Sequence, residues 1–335
     1  MRSFRQLQAR VLFFLALTLP IFMAQGQRLP TISNAPPAEV QGQSFSVGRS
    51  DALTSSGVHP ADILGVGGVP LILCADLGLL CSDPTTNTVD DLTGLSYGAD
   101  FSATGLPPLQ FSVTGGAQGM SNTAVHGEAG CSPAQVQADV FETALDGANQ
   151  QDLDGDGVAC TDNAGFGLGL TEDGGADNLD ALAPDPCQFV DLDCNGVPDA
   201  PIFFTLAPDS PTLALIGATP ADILIAGIEF APLIWANGVT ALGLAPGDSL
   251  DGLCLQENGN GVYDSADQLL FSLAPGSPTL TTLAASGADL LQAAPLRVRI
   301  PAAALGLAKS DNLDAIACAD ALALQTLYLP LIRQQ

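Results

Sequence analysis

Residues 202–226 read IFFTLAPDSPTLALIGATPADILIA and residues 269–292 read LLFSLAPGSPTLTTLAASGADLLQ. Both begin with a short apolar run carrying a Phe-led triplet, Phe204-Thr205-Leu206 and Phe271-Ser272-Leu273, which predicts a buried strand. Ser210-Pro211 and Ser277-Pro278 follow. Proline has a fixed φ and no N–H, so it suits the first position of a helix, and the serine before it suits the N-cap. Gly217 can close a single helical turn. Downstream, Ile223 to Ala226, Pro232 to Ala236 and Leu250 to Leu255 predict three more strands, with a second turn ending at Leu242-Gly243-Leu244. The later copy has its second turn at Leu305-Gly306-Leu307.

Read outward from these segments, the same landmarks occur four times in the same order. The Phe-led strands are Phe45-Ser46-Val47, Phe111-Ser112-Val113, Phe204-Thr205-Leu206 and Phe271-Ser272-Leu273. An Ala-Asp-aliphatic step follows at Ala61-Asp62-Ile63, Ala138-Asp139-Val140, Ala221-Asp222-Ile223 and Ala288-Asp289-Leu290. An acidic strand start closes each copy, at Asp90-Asp91-Leu92, Asp177-Asn178-Leu179, Asp248-Ser249-Leu250 and Asp311-Asn312-Leu313. The Phe positions are 66, 93 and 67 residues apart, so the second copy holds an insertion of about one hairpin.

Apolar runs this short, bounded by Gly, Pro and Asp, predict a mostly β fold: four tandem repeats of about 65 residues with short helical turns. Four strands per unit is the size of a propeller blade; a pseudo-symmetric barrel and tandem sandwiches are the alternatives. The units expected are 43–101, 109–200, 201–267 and 268–332, within one repeat-built domain over 43–335. Leu327 to Leu331 stands where a fifth Phe-led strand would begin, so it is expected to close a ring beside Phe45 to Val47.

Residues 1–26 have Arg2, Arg5 and Arg10, an apolar run from Val11 to Met23, and Ala24-Gln25-Gly26, the pattern of a secretory signal. The run is too short to span a bilayer, which needs roughly 20 residues. Residues 27–42 predict an extended leader. Eight cysteines in an exported chain suggest disulfides, with Cys187–Cys194 the expected local pair. The chain has 36 acidic and 9 basic residues, a formal net charge of −27, and no Lys or Arg between Arg49 and Arg297. Phosphate and nucleic-acid backbones are recognised through Arg and Lys, so nucleic-acid partners are disfavoured and cations are the natural ligands.

Three segments carry oxygen donors at alternate positions followed by Gly-Val: Asp152-Leu153-Asp154-Gly155-Asp156-Gly157-Val158, Asp191-Leu192-Asp193-Cys194-Asn195-Gly196-Val197 and Gln256-Glu257-Asn258-Gly259-Asn260-Gly261-Val262. Calcium takes about six to eight oxygens, and alternate side chains converge on it only if the chain curls, which glycine at the sixth position allows; the seventh residue offers its carbonyl. The expected ligands are Asp152, Asp154, Asp156 and Val158 in the first loop. In the second they are Asp191, Asp193, Asn195, Val197 and Asp199, and in the third Asn258, Asn260, Val262, Asp264 and Asp267. Asx turns without metal use the same residues. The second and third loops resemble the calcium loops of integrin-type FG-GAP propeller repeats, and the first resembles those of thrombospondin type 3 repeats. That resemblance implies a structural calcium at blade junctions. The repeat as a whole is similar to secreted bacterial repeat proteins.

Only His59 and His126 are available for acid–base work, and neither lies in a recognisable catalytic motif. Trp235, the single tryptophan, is expected in the core. The expectation is therefore a secreted, non-enzymatic calcium-binding repeat protein for adhesion, meeting an extracellular glycan or protein. The alternatives are a calcium-dependent glycosidase using a carboxylate pair and a structural envelope component.

Overall fold

The landmark phenylalanines Phe45, Phe111, Phe204 and Phe271 are completely buried, and each lies in a different apolar cluster. The computed structural model describes residues 43–49, 53, 57–82, 89–98, 100, 109–158, 160, 166–172, 177–184, 202–227 and 230–318. In chain order, β1 (Ser44–Val47), β2 (Ile63–Gly65) and β3 (Val69–Ile72) belong to a first sheet. A second sheet holds β4 (Leu92–Ser96), β5 (Leu109–Val113), β6 (Val140–Thr143), β7 (Gln150–Asp154) and β8 (Phe166–Gly167). The third holds β9 (Leu179–Pro184), β10 (Ile202–Leu206), β11 (Ile223–Gly227) and β12 (Phe230–Ala236). The fourth holds β13 (Leu250–Gln256), β14 (Gln268–Leu273), β15 (Leu290–Gln292) and β16 (Arg297–Ile300), while β17 (Leu313–Ala317) returns to the first sheet beside β1. Helices α1 (Ala124–Ala129), α2 (Pro211–Ile216), α3 (Pro278–Leu283) and α4 (Ala302–Leu305) are one or two turns each. The four sheets are the blades of a four-bladed β-propeller.

The acidic strand starts lead into β4, β9, β13 and β17, the innermost strands, which pack on one another around the ring axis. Such close packing selects small side chains. A Cβ at Gly94 of β4 would meet Ser112 Oγ at 2.5 Å and Leu182 Cβ of the next blade at 2.8 Å. Each apolar cluster is a layer between neighbouring blades. Ala221 and Ile223 of the third blade, for example, pack with Leu250 and Phe271 of the fourth. Burying one such Phe contributes roughly 1.5–3 kcal/mol, so four repeated Phe positions mean four repeated layers.

The units as read in sequence are out of phase with the blades: each ends on the strand that begins the next blade. This offset closes the ring. β1 pairs with β17 on one side (Phe45 opposite Ile316) and with β2 on the other (Phe45 opposite Leu64). Both edges beside Phe45 to Val47 are therefore occupied, and the ring closes through Leu313–Ala317 rather than through the expected Leu327 to Leu331, which lies outside the described residues. The extra residues of the second copy fall in two places: Phe111 and Asp139 are 28 apart against 17 or 18 in the other copies, and Asp139 and Asp177 are 38 apart against 22 to 28, the latter stretch adding β8 as a fifth strand, parallel to β7.

The Ser-Pro turns form as expected, with Ser210 and Ser277 at the N-caps and Pro211 and Pro278 first in α2 and α3. The cap hydrogen bond comes from elsewhere. Asp177 Oδ1 accepts from Thr212 N (2.9 Å) and Asp248 Oδ1 from Thr279 N (2.9 Å), each filling an orphan donor of the helix start. In exchange, Ser210 Oγ accepts from Asn178 N (3.0 Å) and Ser277 Oγ from Ser249 N (3.2 Å). Disulfides join Cys74–Cys81, Cys131–Cys160 and Cys254–Cys318. The last ties the ends of two innermost strands, and Asp100 bridges the same ends by accepting from Leu255 N (2.9 Å) and Cys318 N (3.0 Å). The expected Cys187–Cys194 pair lies outside the described residues.

Candidate metal centre

The aspartate of the Ala-Asp-aliphatic step is buried in every blade. In three of them both carboxylate oxygens are used. Asp62 accepts from His59 N and Cys74 N, both at 2.8 Å. Asp222 accepts from Thr219 N (2.7 Å), Thr219 Oγ1 (3.0 Å) and Gly238 N (2.7 Å). Asp289 accepts from Ser286 N (2.7 Å), Ser286 Oγ (2.9 Å) and Ala302 N (2.7 Å). One oxygen closes the turn three residues upstream and the other holds the chain leaving the next strand, so each aspartate is a corner staple built from charge-assisted hydrogen bonds.

The second blade breaks the pattern. Asp139 Oδ1 accepts from Gly155 N (3.0 Å), the counterpart of the Gly238 contact, but Oδ2 makes no hydrogen bond. Val136 stands three residues upstream, where the other blades have His59, Thr219 and Ser286. One carboxylate oxygen of Asp139 is grouped with one each from Asp154, at the end of β7, and Glu172, all within 4.8 Å of one another. The three residues are 0%, 2% and 1% exposed. Glu172 Oε1 also makes no hydrogen bond. It lies over Gly155, where a Cβ would come within 2.4 Å of it, so only glycine lets the carboxylate occupy this place. Asp154 Oδ1 accepts from Gly157 N (2.6 Å) and Val158 N (3.1 Å), and its Oδ2 from Gln151 Nε2 (3.3 Å).

Burial is the largest cause pushing all three carboxyl groups above the usual range. Mutual repulsion adds to it: Asp154 acts on Asp139, and Asp139 and Asp154 act on Glu172. The donor set is oxygen only, which suits a hard cation. A second group, Glu128 with Cys131 and Cys160, offers no thiolate because its sulfurs are joined in a disulfide.

The expected ligands are placed unevenly. Of the first loop only Asp154 joins the cluster. Asp152 turns to Gln110 of β5, two strands away across β6, and accepts from its side-chain amide. Asp156 closes an Asx turn on Val158 N (2.7 Å) while its charge still acts on Asp154 and Glu172. Val158 is 66% exposed and turns its N–H inward. Asp191, Asp193, Asn195, Val197 and Asp199 lie outside the described residues. The third loop satisfies itself. Asp264 accepts from Asn258 Nδ2 (3.1 Å) and Asn260 Nδ2 (2.7 Å), Asp267 accepts from Asn258 N (3.0 Å) and Asp264 N (2.7 Å), and Asn260 Oδ1 accepts from Val262 N (2.9 Å). The buried carboxylate there is Glu257, absent from the expected ligands, which accepts from three backbone N–H groups.

A further set of carboxylates meets near the axis, one from each blade. Asp314 lies beside Asp91, and burial followed by the charges of Asp251, Asp91 and Asp180 raises its pKa well above the usual range. Burial likewise pushes Asp180 up to about 7. Asp251 Oδ2 accepts from Asn312 Nδ2 (2.6 Å), and Asp91 pairs with Arg49 (3.1 Å).

Trp235 is partly buried rather than in the core: it packs edge-on against Phe203 and Tyr263, with ring centroids 4.8 and 5.4 Å away, at the margin of the layer between the third and fourth blades. His59 lends its backbone N–H to Asp62, and the His126 ring meets Gln118 O at 3.1 Å. No protein-family model, curated protein or solved structure matches the chain.

Proposed function

We propose that this protein is a secreted, non-enzymatic propeller that takes up calcium and works outside the cell as a rigid platform for adhesion or ligand binding. The observation that carries this is the missing countercharge. Three buried carboxyl groups gather in the second blade, and no Lys or Arg occurs between Arg49 and Arg297 to balance them. Buried carboxyl groups without a positive partner either keep a proton or take a cation from solution, and the gathering of three oxygen ligands supports the cation. Calcium at extracellular concentrations fits such an oxygen-only ligand set, at dissociation constants of about 10⁻⁴ to 10⁻³ M.

Three disulfides support export, because such bonds persist in oxidising compartments. Among the described residues no helix is long and apolar enough to cross a membrane. The oxygens of the second-blade cluster, within 4.8 Å, are closer together than the roughly 5–9.5 Å between glycosidase carboxyl groups, and they are buried away from any sugar. That favours a structural ion over a carboxylate-pair hydrolase. Scanning calorimetry tests the proposal. Calcium at 100 times its dissociation constant should add about 2.7 kcal/mol per site, and a melting temperature unaffected by calcium or EGTA would remove it.

A further inference from the structure

Given the calcium dependence proposed above, we infer that Asp139, Asp154 and Glu172 form one calcium site, in which the ion replaces the backbone donor that completes the same corner in the other three blades. The comparison within the molecule is the reason. Asp62, Asp222 and Asp289 each use one oxygen on the chain after the next strand and the other on a donor three residues upstream. Asp139 keeps the first contact and lacks the second. The carboxyl group of Glu172 is its neighbour instead, and Glu172 Oε1 likewise has no hydrogen-bond donor and is buried. Two ionised carboxylates cannot bond each other: the contact holds either a proton, which lets one carboxyl donate to the other, or a cation, and the third carboxyl group beside them, that of Asp154, favours the cation.

The spacing suits calcium. Metal–oxygen bonds of about 2.3–2.6 Å place ligand oxygens at most about 5 Å apart across the ion, and the three carboxylates meet within 4.8 Å. The surrounding chain is fixed much as in the other blades, where Leu79 N, Leu244 N and Leu307 N make the counterpart of the contact made here by Leu170 N. Leu168 N and Leu170 N donate to Asp154 O and Gly155 O, both at 2.8 Å, fixing the segment that carries Glu172 against the end of β7. Leu168 and Leu170 pack with Leu179, Leu182 and Ile202 of the third blade. The Cys131–Cys160 disulfide encloses both Asp139 and Asp154. The ion therefore ties the outer corner of the second blade to the segment that leads into the third.

Calorimetric titration of the full chain with calcium chloride tests the site, using Glu172→Gln and Asp139→Asn. Asp251→Asn at the axis and Asp264→Asn in the third loop are the controls. The expected result is one binding event in the wild type, weakened at least tenfold in both site variants and unchanged in the controls. Each variant's melting curve in EGTA shows whether it is folded, and a folded Glu172→Gln protein suffices if Asp139→Asn does not fold. Wild-type affinity in the site variants, or loss of binding in Asp251→Asn or Asp264→Asn alone, would place the ion elsewhere and overturn the inference while leaving calcium dependence standing. No calcium binding by the wild type would sink both, leaving a shared proton between Asp139 and Glu172.

Discussion

Exchanging aspartate for asparagine at equivalent corners of two blades should have opposite signs. At Asp222 every oxygen is engaged: Oδ2 accepts from Thr219 N and Oγ1, and Oδ1 from Gly238 N at 2.7 Å. An asparagine must point its NH₂ at one of those N–H groups. It forfeits a charge-assisted hydrogen bond, about 1.5–3 kcal/mol, and leaves a buried donor unpaired, about 1–3 kcal/mol more. The sum, roughly 3–5 kcal/mol, is a large part of the stability of an ordinary domain and corresponds to a fall in Tm on the order of 10 °C. At Asp139 the same exchange keeps Oδ1 on Gly155 N and offers an NH₂ donor to the neighbouring Glu172 carboxylate. It also removes one of three crowded negative charges. In EGTA, Asp139→Asn should hold or raise the Tm while Asp222→Asn lowers it, as read by scanning calorimetry with circular dichroism to confirm folding. Equal losses in the two variants would show that Asp139 is a staple like the rest, and the account of the second blade would fail.

Two further outcomes follow from the ring. Replacing both Cys254 and Cys318 by serine opens a loop with a sequence separation of 64 between the ends of two innermost strands; the chain-entropy cost is about 4 kcal/mol, so a calorimetric Tm within 2 °C or so of the wild type would contradict it. Acidification should stabilise the calcium-free protein. Asp180 has its folded pKa raised from 3.8 to about 7, chiefly by burial, so the folded chain keeps a proton that the unfolded chain releases; the stabilisation is full below about pH 4 and is lost as pH rises through 7. In EGTA the Tm at pH 5 should exceed that at pH 8, and Asp180→Asn should shrink the difference; an undiminished difference in that variant would rule out Asp180 as a source.

The repeated landmarks were legible because each does a local job that recurs in every blade. Phe204 fills a layer between sheets, Asp222 staples a corner and Asp248 caps the helix at Thr279, so selection for the same turn writes the same letters four times. The phase of the blades was not legible. Strand order within a unit looks the same whether the ring closes through Leu313–Ala317 or through a later strand, and only the pairing of Phe45 with Ile316 decides it. Asp100 was hidden for a related reason: its partners Leu255 and Cys318 are 155 and 218 residues away and follow no period.

The metal loops show how far composition carries. Alternating Asp, Asn and Gly specify a curled chain, and the first and third loops do curl. In the third, amide and backbone donors already satisfy every carboxylate that was expected to bind calcium. What singles out the second blade is an irregularity. Once the four copies are aligned on Asp62, Asp139, Asp222 and Asp289, the residues three places upstream are His59, Val136, Thr219 and Ser286. At Thr219 and Ser286 a hydroxyl as well as a backbone N–H serves the aspartate, and at His59 the backbone N–H does. A valine there cannot supply a side-chain donor, and the turn around it withholds its backbone N–H from Asp139 Oδ2. The orphaned oxygen is thus foreshadowed in the alignment of the chain with itself. Its partner Glu172 is not: it stands two residues after the shared turn Leu168-Gly169-Leu170, where the other copies have Cys81, Pro246 and Lys309, and nothing in that variation announces a carboxylate facing the blade corner of Asp139.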